Sequence, residues 1–362
     1  MSFNDFLGNA RALGVVRKML ARGHLPGALL FAGPDGVGKK TLALMLAKAL
    51  NCERLKDDFC GECGPCRKAE EMLAAGRQDL SARRELKDSG RRVEGLLYFD
   101  LQVIEPISRY ILIEQIRQLR NVAYTRPFEL PRRVFVIDQA QAIHWQAVDL
   151  LLKVLEEPPD TTTLILICPN AHELRPTIRS RCEKVQFLPA DDAVIAKVLD
   201  EQGRLKPAER SLGVRLADGS IAQAKSLDLA RFESCRRPWL DFLDSVAGAA
   251  GRGQREAQPG WDRLFAATKA LTEDRDSFED TLRVGYTLLA DLLRLLENPP
   301  EPRVVNGDLR PRLEAWGRRL GIEGIERLKN GLDEAYRLQS RNVNQQLGLD
   351  VVALDLSLGG RL

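Results

Sequence analysis

The sequence predicts an α/β fold in its first half, a parallel sheet covered by helices, followed by regions that are helical throughout. Apolar runs of strand length recur at Ala28–Ala32, Tyr98–Ile104, Val134–Asp138 and Thr163–Cys168, with helical patterns between them. Strands separated by helices pair in parallel, because each crossover helix carries the chain back to the same edge of the sheet. Between the first strand and the helix after it, Gly33 to Thr41 read Gly-Pro-Asp-Gly-Val-Gly-Lys-Lys-Thr, a glycine-rich turn where a parallel sheet gathers phosphate. From Pro189 onward no strand-like run is left.

In chain order, Asn9–Leu25 is amphipathic and helical, and Lys39–Leu50 continues as a helix out of the glycine-rich turn. Helices follow at Ile113–Tyr124 and Trp145–Glu156, the second stopped by Pro158-Pro159. Arg77–Gly95 is charged, glycine-punctuated and aperiodic and reads as an exposed loop. Asp191–Ala230 reads as a small helical unit broken near Gly203 and Gly219, with a linker at Glu233–Pro238. These breaks divide the chain into 1–188, 189–234 and 235–362. In the last region Gly248–Gly260 reads as a surface loop. The leucine-rich periodicities at Thr281–Leu296 and Ile325–Leu338 call for partners, either within a bundle or on other subunits.

Composition narrows the classes. With 54 Lys and Arg against 51 Asp and Glu, the net charge of +3 is too near neutral to mark a nucleic-acid binder. No apolar run is of membrane-spanning length, and the N-terminal residues lack a signal-peptide pattern. Four of the seven cysteines crowd together, which suits a metal site in a reducing compartment better than a disulfide framework. A cytoplasmic protein is expected.

The glycine-rich turn matches the phosphate-loop pattern G-x-x-x-x-G-K-[ST] at Gly33, Gly38 and Lys39. With Gly36 they form a candidate cradle for the phosphates of ATP or ADP, in which backbone N–H groups and a helix N-terminus face the anion. The next position needs a hydroxyl to hold Mg²⁺ and carries Lys40. Thr41 is no substitute, since adjacent helical residues point roughly 100° apart. The strand Val134–Ile137 delivers Asp138 as the metal-side carboxylate, but Gln139 follows where many such ATPases place a Glu to polarise water. Lys40 and Gln139 fail in different steps, and together they argue against hydrolysis.

Cys52, Cys60, Cys63 and Cys66 are spaced C-x7-C-x2-C-x2-C with Gly61, Gly64 and Pro65 in the turns. Four thiolates with no open position favour structural Zn²⁺, and an iron–sulfur cluster is the rival. Cys168, Cys182 and Cys235 stand apart and read as small buried apolar side chains.

Over essentially its whole length the chain resembles bacterial replicative clamp-loader subunits of the AAA+ class. The resemblance rests on Leu151 to Pro159 (Leu-Leu-Lys-Val-Leu-Glu-Glu-Pro-Pro), on Ser180-Arg181-Cys182, and on a phosphate loop followed by a cysteine knuckle. It implies an AAA+ module with an inserted zinc knuckle (52–66), a helical lid and a helical collar that joins a heteropentameric ring. In that family gamma and tau subunits hydrolyse ATP, while delta-prime is a largely rigid stator. Lys40, Gln139 and Gly219-Ser220-Ile221-Ala222, where the motors carry Gly-Ser-x-Arg, depart from the motor pattern toward delta-prime. By the same resemblance Arg181 is an arginine finger acting in trans on a neighbour's ATP, a task suited to an always-charged fork; Arg179 is a weaker candidate. From position alone, Arg181 reads first as a surface ion pair at a helix end; the Ser-Arg-Cys context reverses that preference.

The implied role is that of a subunit of the DNA polymerase III holoenzyme, a DNA-directed DNA polymerase and nucleotidyltransferase. Its partners would be gamma/tau and delta, with indirect action on the sliding clamp and weak contact with primer–template DNA. The alternatives are a gamma/tau-like ATPase that tolerates Lys40 and Gln139, and a zinc-containing nucleic-acid-binding module.

Overall fold

Strands that lie between two layers of helix are covered on both faces, and three segments are buried at every residue. They are β1 (Ala28–Ala32), β3 (Arg133–Ile137) and β4 (Thr162–Cys168). In the computed structural model these join β2 (Leu101–Ile104) and β5 (Glu183–Gln186) in one parallel sheet of order β2-β3-β4-β1-β5. The structure describes residues 2–23, 25–86, 99–250, 261–273, 278–297, 303–339 and 345–358.

Side chains alternate between two cores, as the two-residue period of a strand requires. Leu29, Phe31, Val134, Val136, Ile165 and Ile167 face one core, completed by α1 (Ala10–Ala21), α2 (Lys39–Ala49) and α3 (Gly64–Leu86). Leu30, Phe135, Ile137, Leu164 and Leu166 face the other, completed by α4 (Ile113–Ala123) and α5 (Val148–Glu156). This is a parallel α/β module with helices on both faces and a glycine-rich loop between β1 and α2. The short α6 (Pro176–Arg179) leads into β5, and α7 (Asp192–Gln202) ends at Gly203, whose left-handed φ of 62° closes the helix.

Two units make up the chain: Met1–Arg204 with Ala217–Lys225, and Leu205–Leu216 with Ser226–Leu362. The sheet belongs to the first, with α9 (Ile221–Ser226) all but its last residue. Helices build the second: α8 (Pro207–Ala217) all but its last residue, α10 (Leu229–Ala250), α11 (Trp261–Leu271), α12 (Phe278–Leu296), α13 (Arg310–Gln339) and α14 (Gln345–Leu358). The apolar faces of α10 to α14 meet in one cluster that includes Trp239, Phe242, Leu288, Leu328 and Leu349. No helix among the described residues is long and apolar enough to cross a membrane.

Four segments differ from the sequence reading. Strand β5 was not anticipated, because only Val185 of its residues is buried at this sheet edge. Residues 77–86 of the expected loop continue α3, where Asp79 and Arg83 pair at 2.8 Å one turn apart on the helix; residues 87–95 lie outside the described residues. The expected linker Glu233–Pro238 is inside α10. Pro238 removes a helical hydrogen bond, a cost of about 3 kcal/mol. Burial of Phe242 and Leu243, at about 1.5–3 kcal/mol each, and the Trp239 Nε1 bond to Thr281 O at 2.6 Å offset it. Of the expected loop Gly248–Gly260, residues 248–250 end α10 and 251–260 lie outside the described residues.

One polar pair is fully buried where β2 and β3 begin. Arg133 Nη2 meets Asp100 Oδ1 at 2.9 Å, both side chains 0% exposed. Asp100 Oδ2 accepts the N–H groups of Phe128, Glu129 and Leu130 at 2.8, 2.7 and 3.0 Å. Arg133 donates to the carbonyls of Val122, Thr125 and Arg126. The connection from α4 to β3 is thereby fixed from inside. Asp100→Ala is expected to lower stability by about 3–5 kcal/mol, the cost of an unpaired buried charge, read from urea unfolding midpoints. A loss below about 1 kcal/mol would show that the pair is not needed.

Candidate functional site

Parallel strands direct their C-terminal ends to one edge, and the phosphate loop leaves that edge between β1 and α2. Gly38 (φ 99°) caps α2, and a Cβ there would come within 3.0 Å of the Phe6 ring. Gly36 (φ 76°) has no room for a Cβ either, because it would strike Ser220 Oγ. Gly33 donates its N–H to Cys168 O at 3.3 Å and lies against Phe187.

Lys39, at 6% exposure, turns back onto its own loop. Its ammonium donates to Gly33 O, to Pro34 O at 2.6 Å and to Asp35 Oδ1 at 3.3 Å. All three donors of the Lys39 ammonium are therefore taken by its own chain.

Lys40 reaches the other way. Register pairs Ile104 with Ile137, so the residues that follow them, Glu105 and Asp138, emerge side by side. Lys40 Nζ is hydrogen-bonded to Glu105 Oε1 and lies 3.3 Å from Asp138 Oδ2. Burial alone would lower the Lys40 pKa; the hydrogen bond to Glu105 and the charges of Asp138 and Glu105 outweigh it and hold the group above its ordinary value. Arg84 Nη2, near the end of α3, meets Glu105 Oε2 at 2.9 Å. Gln139 is exposed, and its N–H caps Asp138 Oδ1 at 3.0 Å. The sequence reading missed Glu105; the available signal was its position directly after an apolar strand, as with Asp138. Thr41 is exposed.

These residues do not fit a magnesium–nucleotide: a cation already sits on Asp138, and no hydroxyl stands at the position after Lys39. Helix α9 closes over the loop as well. Ala222, where the motor pattern has an arginine, gives its N–H to Gly36 O at 3.0 Å.

Arg181 is exposed just past α6. Its guanidinium meets Glu156 Oε1 at 2.6 Å and Thr177 O at 2.9 Å, with Ser180 Oγ at 3.5 Å. None of these partners belongs to the phosphate loop, and Glu156 ends α5, so the two signature segments touch through this pair. Arg179 contacts the His172 ring at 3.1 Å.

The four clustered cysteines converge. Their Sγ atoms lie within 4.8 Å of one another, and sulfurs held at about 2.3 Å from a tetrahedral ion are roughly 3.8 Å apart. Cys60 Sγ accepts the N–H groups of Glu62 at 3.4 Å and Cys63 at 3.3 Å. The Glu62 bond, then the Cys63 bond, pulls the Cys60 thiol down to about 6, and burial pushes Cys66 up to about 12. Next to the cluster, Asp58 accepts the Phe3 N–H at 3.0 Å and Phe59 packs edge-on against Phe3. The donor set can hold a metal ion. Among the other cysteines, Cys168 and Cys235 are buried, and Cys182 is partly covered.

The chain is similar to known proteins at two levels. A family model described as DNA polymerase III, delta subunit, matches residues 8–191. DNA polymerase III subunit tau of Escherichia coli K12 is 31% identical over 232 residues, 62% of this chain and 32% of that protein. Subunit tau of Bacillus subtilis 168 is 27% identical over 231 residues, 62% and 37%. Subunit gamma/tau of Mycoplasma pneumoniae is 28% identical over 245 residues, 68% and 31%. The chain spans about a third of the length of these curated relatives. A solved gamma subunit-related protein of Thermotoga maritima aligns with 97% of this chain and 100% of its own at 15% identity, TM-score 0.46. The family match runs from before the phosphate loop, through the cysteine cluster, to beyond Ser180-Arg181-Cys182, and the chain belongs to the DNA polymerase III clamp-loader family that this model describes.

Proposed function

We propose that the chain is a delta-prime-like stator of the clamp loader of DNA polymerase III in the cytoplasm. It braces a ring with gamma/tau and delta subunits while the sliding clamp is loaded onto primed DNA. The observation that carries this reading is Lys40 seated on Asp138, supported by Gln139 and Ala222 at the two other positions where a motor needs chemistry. In this reading Lys39 and Gly33, Gly36 and Gly38 are a retained fold element. The helices of 235–362 join the ring as a collar, residues 189–234 act as its lid, and contact with DNA is confined to the backbone and weak.

Arg181 acts in trans. Its bond to Glu156 is exposed to solvent, and exposed pairs of this kind contribute little, about 0–1 kcal/mol, so the guanidinium exchanges that partner for a neighbour's phosphate at small cost. The rival reading, a gamma/tau-like ATPase, draws on the names of the curated relatives; against it stand the three departures above.

Two experiments test these assignments. In an assembly whose only competent ATP site lies next to this chain, Arg181→Ala should lower turnover by roughly 10³-fold or more while the ring still forms. Unchanged turnover would remove the finger assignment. Metal analysis should find about one zinc per chain, and Cys63→Ser should lose it together with thermal stability. Iron in its place, or a fully stable metal-free chain, would overturn the knuckle as a zinc site.

A further inference from the structure

The two carboxylates at the ends of β2 and β3 have four oxygens, and every one is already occupied. Asp138 Oδ1 accepts from Gln139 N at 3.0 Å, and Asp138 Oδ2 faces Lys40 Nζ at 3.3 Å. Glu105 Oε1 accepts from Lys40, and Glu105 Oε2 from Arg84 at 2.9 Å. Glu105 is only 10% exposed in its side chain. A magnesium ion demands close, near-octahedral oxygen ligands and gives up its waters reluctantly. Here it would have to displace the ammonium of Lys40 and the guanidinium of Arg84.

We propose that Lys40 is a tethered counter-ion standing in for the divalent metal, which makes this phosphate-loop site metal-independent. A cation fixed to the same helix competes as an intramolecular ligand, at an effective concentration a free ion does not match. The same ammonium ties α2 to the ends of β2 and β3 and, through Glu105, to Arg84 on α3. The sheet edge therefore keeps one arrangement with or without metal. Any triphosphate that reaches the loop does so as the free anion, with Lys39 as its lysine and no metal bridge. This inference deepens the reading of a non-hydrolysing site. The Arg181 assay reports on the neighbour's site alone, so either can fail without the other.

The test uses the purified full chain with Mn²⁺ as a spectroscopic stand-in for Mg²⁺, and ATP as the phosphate probe. Wild type should bind no Mn²⁺ at this site with or without ATP, and its ATP signal should be the same in Mg²⁺ and in EDTA. Lys40→Thr supplies the missing hydroxyl and frees Asp138 Oδ2 and Glu105 Oε1. It should bind about one Mn²⁺ together with ATP, with ATP affinity falling at least about tenfold on adding EDTA. Lys40→Met keeps the apolar stem but removes the charge, and should gain Mn²⁺ more weakly than Lys40→Thr. Circular dichroism and urea unfolding establish that each variant is folded. Metal-dependent ATP binding by wild type would overturn the proposal, as would folded Lys40→Thr and Lys40→Met chains that both fail to gain Mn²⁺.

Discussion

Pairing β2 with β3 in register sets Glu105 beside Asp138, and two adjacent carboxylates at a part-buried sheet edge need a cation between them. Much of the site follows from how this chain meets that need. Lys40 fills the gap from α2, Arg84 closes it from α3, and the residue that would otherwise place a hydroxyl near a metal becomes a strut. Lys39 satisfies its donors on the carbonyls of Gly33 and Pro34 and the carboxylate of Asp35. Ala222 then covers Gly36, where a longer side chain would need room. The loop keeps the shape of a nucleotide cradle because its own groups complete it.

The same two strands are charged at both ends, with opposite consequences. Where they begin, Asp100 and Arg133 are fully buried and satisfied by backbone groups of one connection, so the pair rigidifies that connection and touches nothing outside. Where they end, Glu105 and Asp138 stay partly open and are balanced by a side chain that substitution could remove. The cysteine cluster works with this second end at a distance. It anchors the start of α3, and that helix carries Arg84 to Glu105 near its other end.

What could be read from the sequence follows from how local each signal is. β1, β3 and β4 are buried on both faces and therefore read as unbroken apolar runs. The cysteine set was legible because four ligands within fifteen residues need only short turns to meet. β5 was hidden because an edge strand can be polar at three of four positions. α3 was hidden beyond residue 76 by its charge density, which the helix neutralises through pairs along its own surface and to Glu105. Pro238 read as a break because local propensity argues for one, and burial of Trp239 and its neighbours overrides it. The partner of Lys40 was illegible for another reason: Glu105 lies sixty-five positions away in sequence, and only the strand register brings it near. The chemical misfit at Lys40 was visible, but not the interaction that the misfit creates.

The central claim is that the phosphate loop of this chain has been filled from within and does no chemistry of its own. ATP hydrolysis by the purified chain, alone and at saturating Mg²⁺, tests it most directly. The account predicts turnover indistinguishable from the no-protein background. Steady turnover that disappears with Lys39→Ala would contradict it.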